Sequence, residues 1–346
     1  MIIPGSACQS EGLLTGAHRS VGLGLLVIAS LASAGLACAG FPSPPEPTPL
    51  FAPIPGTRAL TSDLAYYREP TWSPDGQRIA ARRSQTTRHP GEPSTGGDVV
   101  LFNLDSGDEQ IIVAPPTVKP ESAYGPVFWL PGGKAIAFHY YNFADDQEVP
   151  YLVTYDRETG QATAIDLCRC SAIVINRDGT ELLVVDSPEG TFQLSWFDLE
   201  TREMRLELSI VKKDPQEHGY VDFSLSPDNR TLLMGDRGGN VFSYTVGSGE
   251  APAPFLTLAA SPAWSPDGSK LVYSQMPSSS TLDYYNGQLV IANADGSFPE
   301  PLFPERQPAG MVSPAWSPDG TKIALLYGSS DSNVLLIADV PERLQP

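Results

Sequence analysis

The sequence predicts an all-β fold, namely a six-bladed β-propeller in which an N-terminal strand completes the last blade. Three observations lead to this prediction. A turn motif occurs six times, at steps of 57, 46, 50, 39 and 52 residues, a spacing typical of propellers and solenoids. Short apolar segments suited to β-strands accompany each copy. The last copy lacks one such segment, and a matching segment precedes the first copy.

The repeated motif is the pentapeptide WSPDG, present in three exact and three degraded copies. These are Trp72–Gly76, Trp264–Gly268 and Trp316–Gly320, with WLPGG at Trp129–Gly133, INRDG at Ile175–Gly179 and LSPDN at Leu225–Asn229. Pro presets φ for the second position of a β-turn, Ser and Asp bond nearby backbone groups, and Gly suits the fourth position. The motif therefore joins two antiparallel strands. Because the Trp and Asp positions recur from blade to blade, we expect them to be structural.

Further apolar segments complete each repeat. An Ile or Leu stands three residues past every motif, at Ile79, Ile136, Leu182, Leu232, Leu271 and Ile323. Third segments are Val99–Leu104, Tyr151–Tyr155, Phe192–Phe197, Val241–Tyr244, Leu289–Ala292 and Val334–Ala338. Fourth segments follow in five copies, at Ile111–Val113, Ala162–Ile165, Met204–Leu208, Phe255–Leu258 and Leu302–Phe303. Four strands per repeat make a propeller blade.

The sixth repeat has no fourth segment of its own. The segment Arg58–Thr61, which precedes the first motif, can supply this strand and close the ring, leaving no open sheet edge at the seam. The 34 prolines and 31 glycines, together with the absence of long stretches at helical spacing, argue against helices. We therefore assign residues 57–346 to one propeller domain.

The N-terminal region is divided into a leader (residues 1–38) and a proline-rich linker (residues 39–56). Val21–Ala37 is mostly apolar and follows His18 and Arg19, as in a bacterial secretion signal. Small residues before Cys38 predict a lipoprotein site with the lipid on Cys38, although Gly35 stands where Leu is usual. Two alternatives remain open: cleavage after Ala39, and an uncleaved anchor.

The linker predicts an extended spacer. Seven prolines lie within Pro42–Gly56, and such a segment spans roughly 3 Å per residue, or about 45 Å. A lipid on Cys38 followed by this spacer predicts an extracytoplasmic, membrane-anchored lipoprotein, in the periplasm or at the cell surface.

The net charge of the chain limits which classes of partner it can bind. The formal net charge is -18, from 40 acidic and 22 basic residues. This charge disfavours nucleic acid and anionic membrane surfaces, so we expect contact with the membrane only through the lipid. An acidic, soluble surface also favours a monomer.

Two cysteines remain in the propeller, Cys168 and Cys170. Extracytoplasmic location permits a disulfide, and the pair has no other partner once Cys8 and Cys38 are assigned to the leader. We expect a disulfide or two buried thiols. A metal site would need two further ligands, and no His has the required spacing.

Catalytic motifs are missing from the sequence. It contains no GxSxG, GxGxxG, GxxxxGK[ST], HExxH or EF-hand pattern, so we expect a non-enzymatic protein without cofactor or metal. An alternative is a lyase or lactonase in the central channel, which would need converging carboxylates and a His such as His139 or His218. Another alternative is a sensor of a small ligand.

The six WSPDG-type turns, followed by a Lys or Arg and an Ile-Ala or Leu-Val strand as in Lys322–Ala324 and Lys270–Val272, resemble the TolB family, whose propeller domain has WD-repeat-like β-propeller repeats. The resemblance covers Thr57 to Val340. It implies a six-bladed ring that binds peptides or proteins. The chain departs from TolB where the proline-rich linker replaces an α/β domain, which favours a stand-alone lipoprotein.

Three long connections are the candidate partner-binding surface. They are Arg82–Gly97, His139–Pro150 and Met276–Gly287, and each joins the second and third strands of its blade, which places all three on one face. Their candidate contact residues are Arg82, Arg83, Tyr140, Tyr141, Asp145, Tyr284 and Tyr285, because Tyr and Arg are favoured at protein interfaces. The expected partner is a protein or peptide of the cell envelope. Alternatively, basic and acidic loops of neighbouring blades pair with each other and the tyrosines cover blade edges.

Overall fold

The computed structural model describes residues 54–62, 65–84, 98–112, 122–144, 147–166, 171–186, 191–211, 219–278, 287–304, 310–328 and 332–346. All of them belong to one compact unit, Pro49–Pro346. The leader, most of the linker, Cys38, Asp145, Cys168, Cys170, Tyr284 and Tyr285 lie outside these ranges. For Tyr140 and Tyr141 the backbone alone is described.

The described residues form 24 strands in six antiparallel sheets of four strands. The strands are β1 (Thr57–Ala59), β2 (Tyr66–Trp72), β3 (Arg78–Ser84), β4 (Asp98–Asn103), β5 (Glu109–Ile112), β6 (Ser122–Trp129), β7 (Ala135–Ala144), β8 (Gln147–Asp156), β9 (Ala162–Asp166), β10 (Ser171–Ile175), β11 (Glu181–Asp186), β12 (Thr191–Asp198), β13 (Met204–Val211), β14 (Asp222–Leu225), β15 (Thr231–Gly235), β16 (Asn240–Thr245), β17 (Ala253–Thr257), β18 (Ala259–Trp264), β19 (Lys270–Gln275), β20 (Gln288–Asn293), β21 (Glu300–Pro301), β22 (Met311–Trp316), β23 (Lys322–Gly328) and β24 (Asn333–Asp339). Two 3₁₀ turns, Pro131–Gly133 and Glu342–Leu344, complete the described elements.

The six sheets are the blades of a closed ring. Blades 1 to 5 run β2–β5, β6–β9, β10–β13, β14–β17 and β18–β21, and blade 6 has the order β22-β23-β24-β1. The first strands of successive blades contact one another in the order β2, β6, β10, β14, β18, β22 and back to β2. The predicted six-bladed propeller is therefore confirmed.

The N-terminal strand closes the last blade, as the sequence predicted. β1 pairs with β24 in antiparallel register, from Thr57 opposite Ala338 to Ala59 opposite Leu336. The pairing continues past the strand, because the Thr61 hydroxyl accepts a hydrogen bond from the backbone N–H of Leu335 at 3.0 Å.

A buried Asn333 strengthens the same seam. Its side-chain oxygen accepts a hydrogen bond from the backbone N–H of Tyr67 at 2.8 Å. Its side-chain nitrogen donates to the carbonyl of Tyr67 at 2.9 Å. One amide side chain thus satisfies both backbone groups of a residue in the first strand of blade 1.

The WSPDG turn forms as its composition predicts. In four copies the Ser hydroxyl donates to the Asp carboxylate two residues later, at distances of 2.5 to 2.8 Å: Ser73 to Asp75, Ser226 to Asp228, Ser265 to Asp267 and Ser317 to Asp319. The hydrogen bond from Ser226 lowers the pKa of Asp228. These aspartates are therefore held in turns, which agrees with a structural role.

Apolar side chains pack between neighbouring blades. The described residues form six buried clusters, and each one spans a different pair of adjacent blades. The indole N–H of a motif Trp adds a bond to the preceding blade at three junctions: Trp72 to the Ala315 carbonyl, Trp129 to Thr71 and Trp316 to Ala263, at 3.0 to 3.3 Å. The repeated motif therefore helps to hold neighbouring blades together.

Strand positions differ from the prediction in two respects. The fourth strand of blade 5 is Glu300–Pro301, not Leu302–Phe303, although the N–H of Leu302 still donates to Leu289 at 2.9 Å. The segments predicted as long loops after Arg82 and His139 begin as regular strand, because β3 extends to Ser84 and β7 to Ala144.

Candidate functional site

The three predicted connections do join second and third strands. They link β3 to β4, β7 to β8 and β19 to β20. In antiparallel blades these connections lie at the opposite end from the WSPDG turns. The face that carries them is called the connection face below, and the opposite face, which carries the WSPDG turns, is called the turn face.

The β7–β8 hairpin of blade 2 has the longest strands that the structure describes, and it ends at the connection face. Each of its strands has 10 residues. Among the described residues, pairing with β6 extends to Tyr141 and pairing with β9 extends to Tyr151. Within the same residues, Asn142–Ala144 pairs with Gln147–Val149 alone, so the described tip of the hairpin is a two-stranded ribbon.

Arg82 and Arg83 lie within β3 and not in a loop, which corrects the predicted position. The side chain of Arg82 is 9% exposed and its guanidinium lies 3.8 Å from the Glu69 carboxylate. Arg83 is 12% exposed and pairs with Glu109 at 2.5 Å and Asp98 at 3.4 Å. These acidic partners belong to the same blade and not to neighbouring blades, so the pairs hold blade 1 together.

The environment of Arg83 favours its charged form. Burial lowers the pKa of Arg83, but a hydrogen bond with Tyr67, the charge of Glu109 and a hydrogen bond with Asp98 outweigh this effect, so the pKa is raised. Removing this guanidinium would leave two carboxylates without their partner. Arg83 is thus poorly suited to a test of partner binding.

The central channel is a second candidate site. It has a cavity of about 360 Å³, lined by residues from the first strand of every blade. Its wall includes four prolines, Pro70, Pro126, Pro262 and Pro314, and two carboxylate residues, Glu69 and Asp222. The channel wall was not among the predicted sites, although the sequence contains a signal for it: a Pro stands two or three residues before each of the four motif tryptophans.

The channel prolines lie at bulges in the first strands. The register of β2, β6, β18 and β22 shifts at these prolines. The preceding residues Glu69, Ser261 and Ser313 have φ of 50°, 49° and 52°, a region that L-residues rarely adopt and that is unusual before proline. The bulges therefore expose the Xaa-Pro pairs to the channel in a repeated geometry.

His139 is buried in β7 and does not line the channel cavity. Burial lowers its pKa to about 4, so it is neutral at physiological pH. The channel lining within the described ranges contains carboxylates without a His, whereas the lyase or lactonase alternative needs both.

A further cavity, of about 790 Å³, lies on the turn face between blades 6 and 1. It is lined by Arg58, Lys322 and several turn aspartates. These groups already have partners: Arg58 donates to the Leu104 carbonyl at 3.0 Å, and Lys322 pairs with Asp339 at 2.5 Å.

In the described part of the chain, the His, Cys, Asp and Glu side chains form no group of three suited to a metal ion. None of its helices has the length and apolar character that a membrane crossing requires.

Comparison with known proteins identifies the fold. No protein-family model and no curated protein matches the sequence. Among solved structures, TolB from Acinetobacter baumannii is 20% identical, with a TM-score of 0.54, over 75% of this chain and 59% of that one. The chain thus spans less than two thirds of that TolB.

Two further structures match over most of both chains. A protein assigned to TolB from Agrobacterium tumefaciens is 16% identical, with a TM-score of 0.56, over 82% of this chain and 94% of that one. Oligogalacturonate lyase from Vibrio parahaemolyticus is 14% identical, with a TM-score of 0.53, over 84% and 94%. At these identities the likeness establishes the fold and leaves function to the residues of the site. The chain therefore has the six-bladed β-propeller fold seen in the TolB structures.

Proposed function

We propose that this protein is a non-enzymatic, extracytoplasmic binding module that engages a protein or peptide of the cell envelope through its connection face. It acts as a monomer, tethered by a lipid on Cys38 and held clear of the membrane by the proline-rich linker. The proposal assigns no cofactor.

The observation that carries the proposal is the β7–β8 ribbon. In the part of the chain that the structure describes, Asn142–Ala144 and Gln147–Val149 pair only with each other, and the four-stranded part of the blade is complete without them. Segments that project from a rigid scaffold are where binding residues concentrate. The sequence of the hairpin, with Tyr140, Tyr141 and Phe143, suits a protein interface.

The connections after β3 and β19 extend the same face. They carry Arg88 and His89 in blade 1 and Tyr284 and Tyr285 in blade 5. Arg82 and Arg83 contribute indirectly, since their ion pairs within blade 1 hold the end of β3 from which the first connection starts.

Shortening the hairpin tests this proposal. Replacing residues 143–148 by Asn-Gly joins Asn142 to Val149, which are paired, through a two-residue type I′ turn. We expect the shortened protein to fold with an unchanged melting temperature and to lose specific capture of its partner from detergent-solubilised envelope, measured by quantitative mass spectrometry.

A matched control alters the opposite face. Glu200→Ala and Glu250→Ala change exposed turn residues between third and fourth strands, and capture should be unaffected. If the shortened hairpin captures the same proteins as the native chain, the connection face is not the binding surface. Intact mass of the membrane-extracted protein tests the lipid on Cys38 separately.

A further inference from the structure

The INRDG turn of blade 3 differs from the WSPDG turns in what holds its aspartate. In the three exact copies the Asp carboxylate accepts two hydrogen bonds within the turn. One comes from the Ser hydroxyl, at 2.5 to 2.8 Å. The other comes from the backbone N–H two residues after the Asp, at 2.9 to 3.0 Å, namely from Gln77, Ser269 and Thr321. Each carboxylate in these turns is therefore fixed in one orientation.

In blade 3, Asn176 takes the place of both the Ser and the Asp as hydrogen-bond acceptor. Its side-chain oxygen accepts from the backbone N–H groups of Thr180 at 2.9 Å and Glu181 at 3.1 Å. Thr180 stands two residues after Asp178, so the N–H that binds the Asp in the exact copies binds Asn176 here. Asp178 is exposed, and no hydrogen bond or ion pair from the residues that the structure describes reaches its carboxylate.

The backbone nitrogen that follows the aspartate is placed alike in all of these turns. The N–H of Gly179 donates to the carbonyl of Asn176 at 3.0 Å, and the corresponding N–H groups of Gly76, Gly268 and Gly320 donate to Ser carbonyls at 2.8 to 3.0 Å. The φ of these glycines lies between +68° and +77°. The freedom of the aspartate side chain is therefore what distinguishes blade 3 from the exact copies.

We propose that Asp178 and Gly179 form a site of isoaspartate formation, a modification that needs no enzyme. The Gly179 nitrogen attacks Cγ of the protonated Asp178 carboxyl group, so that an N–Cγ bond forms and the Cγ–OH bond breaks. The hydroxyl group and the amide proton of Gly179 leave together as water, and a succinimide ring remains. Water then opens the ring. Opening at Cγ restores aspartate, and opening at the main-chain carbonyl gives isoaspartate of the same mass. Glycine favours the attack because it has no side chain to obstruct it.

The aspartates of the exact copies resist this reaction for two reasons. The side chain must rotate before Cγ can meet the backbone nitrogen, and its two hydrogen bonds oppose that rotation. The reaction also needs the protonated carboxyl group. Burial raises the pKa of Asp267, but hydrogen bonds from Ser269 and Ser265 outweigh this effect, so the pKa lies below its ordinary value of 3.8. A carboxylate held by hydrogen bonds is thus protonated less often.

The modification acts where blade 3 meets both of its neighbours. Isoaspartate has its β carbon in the main chain, which lengthens the turn. A β carbon on Gly179 would lie 2.5 Å from ring atoms of Pro131 in blade 2, so the turn has little room to expand. On its other side, the backbone N–H of Arg177 donates to Asn229 of blade 4 at 2.9 Å. A longer turn therefore disturbs contacts with both blades.

Ageing of the full-length protein tests the proposal. The protein is kept folded at mildly acidic pH, and its peptides are separated by liquid chromatography and fragmented by electron transfer, which distinguishes isoaspartate from aspartate. Isoaspartate at Asp178 should accumulate at least about tenfold faster than at Asp75, Asp267 and Asp319 of the same sample, because two hydrogen bonds must break before those side chains rotate. Equal rates at these positions, or no isoaspartate at Asp178, would overturn the proposal.

The variant Asn176→Ser tests the cause. Ser at this position can accept from the Glu181 N–H, as Ser73 accepts from Arg78 at 2.9 Å, and can donate to Asp178. Isoaspartate formation at Asp178 should slow to the rate at Asp75, whereas the control Glu200→Gln, in an exposed turn of the same blade, should leave the rate unchanged. A folded Asn176→Ser protein that reacts as fast as the native chain would refute the proposal. If the variant does not fold, the comparison among the aspartates of the native chain decides.

Discussion

The backbone N–H of Arg177 in blade 3 donates a hydrogen bond to the side-chain oxygen of Asn229 in blade 4, at 2.9 Å. At other junctions the corresponding residues are Pro and Gly, and the Pro ring packs against the Gly, as Pro318 does against Gly76. Proline has no N–H to donate. At the junction of the degraded motifs INRDG and LSPDN, a hydrogen bond between blades therefore replaces the Pro–Gly contact.

This exchange predicts coupling between the two positions. Arg177→Pro alone removes the donor, and Asn229→Gly alone removes the acceptor; each should lose a hydrogen bond worth about 0.5–1.5 kcal/mol. The double variant recreates the Pro–Gly pair and should lose less than the sum of the two. Free energies of unfolding from urea titrations of the four proteins measure this coupling, and strict additivity would show that the residues do not interact.

A second prediction concerns the Pro–Gly contact itself. Gly179 has a φ of +68°, and a β carbon on it would lie 2.5 Å from ring atoms of Pro131. Gly107 has a similar φ of +76° with open space around it. Gly107→Ala should cost about 1–2 kcal/mol from backbone strain. Gly179→Ala should cost about 1–3 kcal/mol more because it also forces the blades apart. Equal losses in urea unfolding would argue against close packing of these turns.

A third prediction concerns Glu207, whose hydrogen bonds join blades 3 and 4. Its side chain is 3% exposed and accepts hydrogen bonds from the Trp196 indole at 3.1 Å, the Tyr244 hydroxyl at 2.8 Å and the Gly247 N–H at 2.5 Å. Burial, then the bond to Glu207, raises the pKa of Tyr244 to about 12, so Tyr244 remains a donor at neutral pH.

Glu207→Gln turns one acceptor into a donor that faces other donors. We expect a loss of about 1–3 kcal/mol in unfolding free energy. Tyr244→Phe, which removes one donor and leaves the carboxylate its other partners, should cost less. A Glu207→Gln protein as stable as the native chain would mean that solvent replaces these bonds.

A further prediction is that the free energy of unfolding depends on pH through His139. Its pKa is about 4 in the folded protein against 6.5 ordinarily. Between these values the unfolded chain binds a proton that the folded chain does not, so stability falls as pH decreases from about 6.5 to 4. The slope from this group is about 1.4 kcal/mol per pH unit.

The variant His139→Gln isolates this contribution. Unfolding free energies at pH 7, 6 and 5 should converge between the native protein and the variant as pH falls. The pKa of Asp228 is also lowered, but from an ordinary value of 3.8. Its effect on stability therefore falls below the pH range of this experiment. Parallel pH profiles would show that the folded protein protonates His139 readily.

The sequence predicted the parts of the fold that local chemistry determines. The Ser-Pro-Asp-Gly turns form wherever these residues occur, because each acts on its own backbone. The unfinished sixth repeat predicted the β1–β24 pairing, since an edge without a partner is unfavourable.

Other features depend on partners distant in the sequence. Arg82 and Arg83 were predicted at the start of a long connection, whereas β3 includes both of them and acidic groups on β2, β4 and β5 pair with them within the blade. Asp222 is separated from Glu69 by about half of the propeller sequence, so no local pattern relates the two carboxylates. The ribbon of blade 2 arises because β7 and β8 pair beyond the described pairing with β6 and β9. The amino-acid composition of the hairpin does not distinguish such paired strands from a loop.

The position of β1 determines how the protein can be held. β1 is the outermost strand of blade 6, so the polypeptide enters the disc at its rim, far from the axis. The chain therefore passes into the propeller at the outer edge of a blade, and the first strand of that blade, which lines the central channel, lies three strands away.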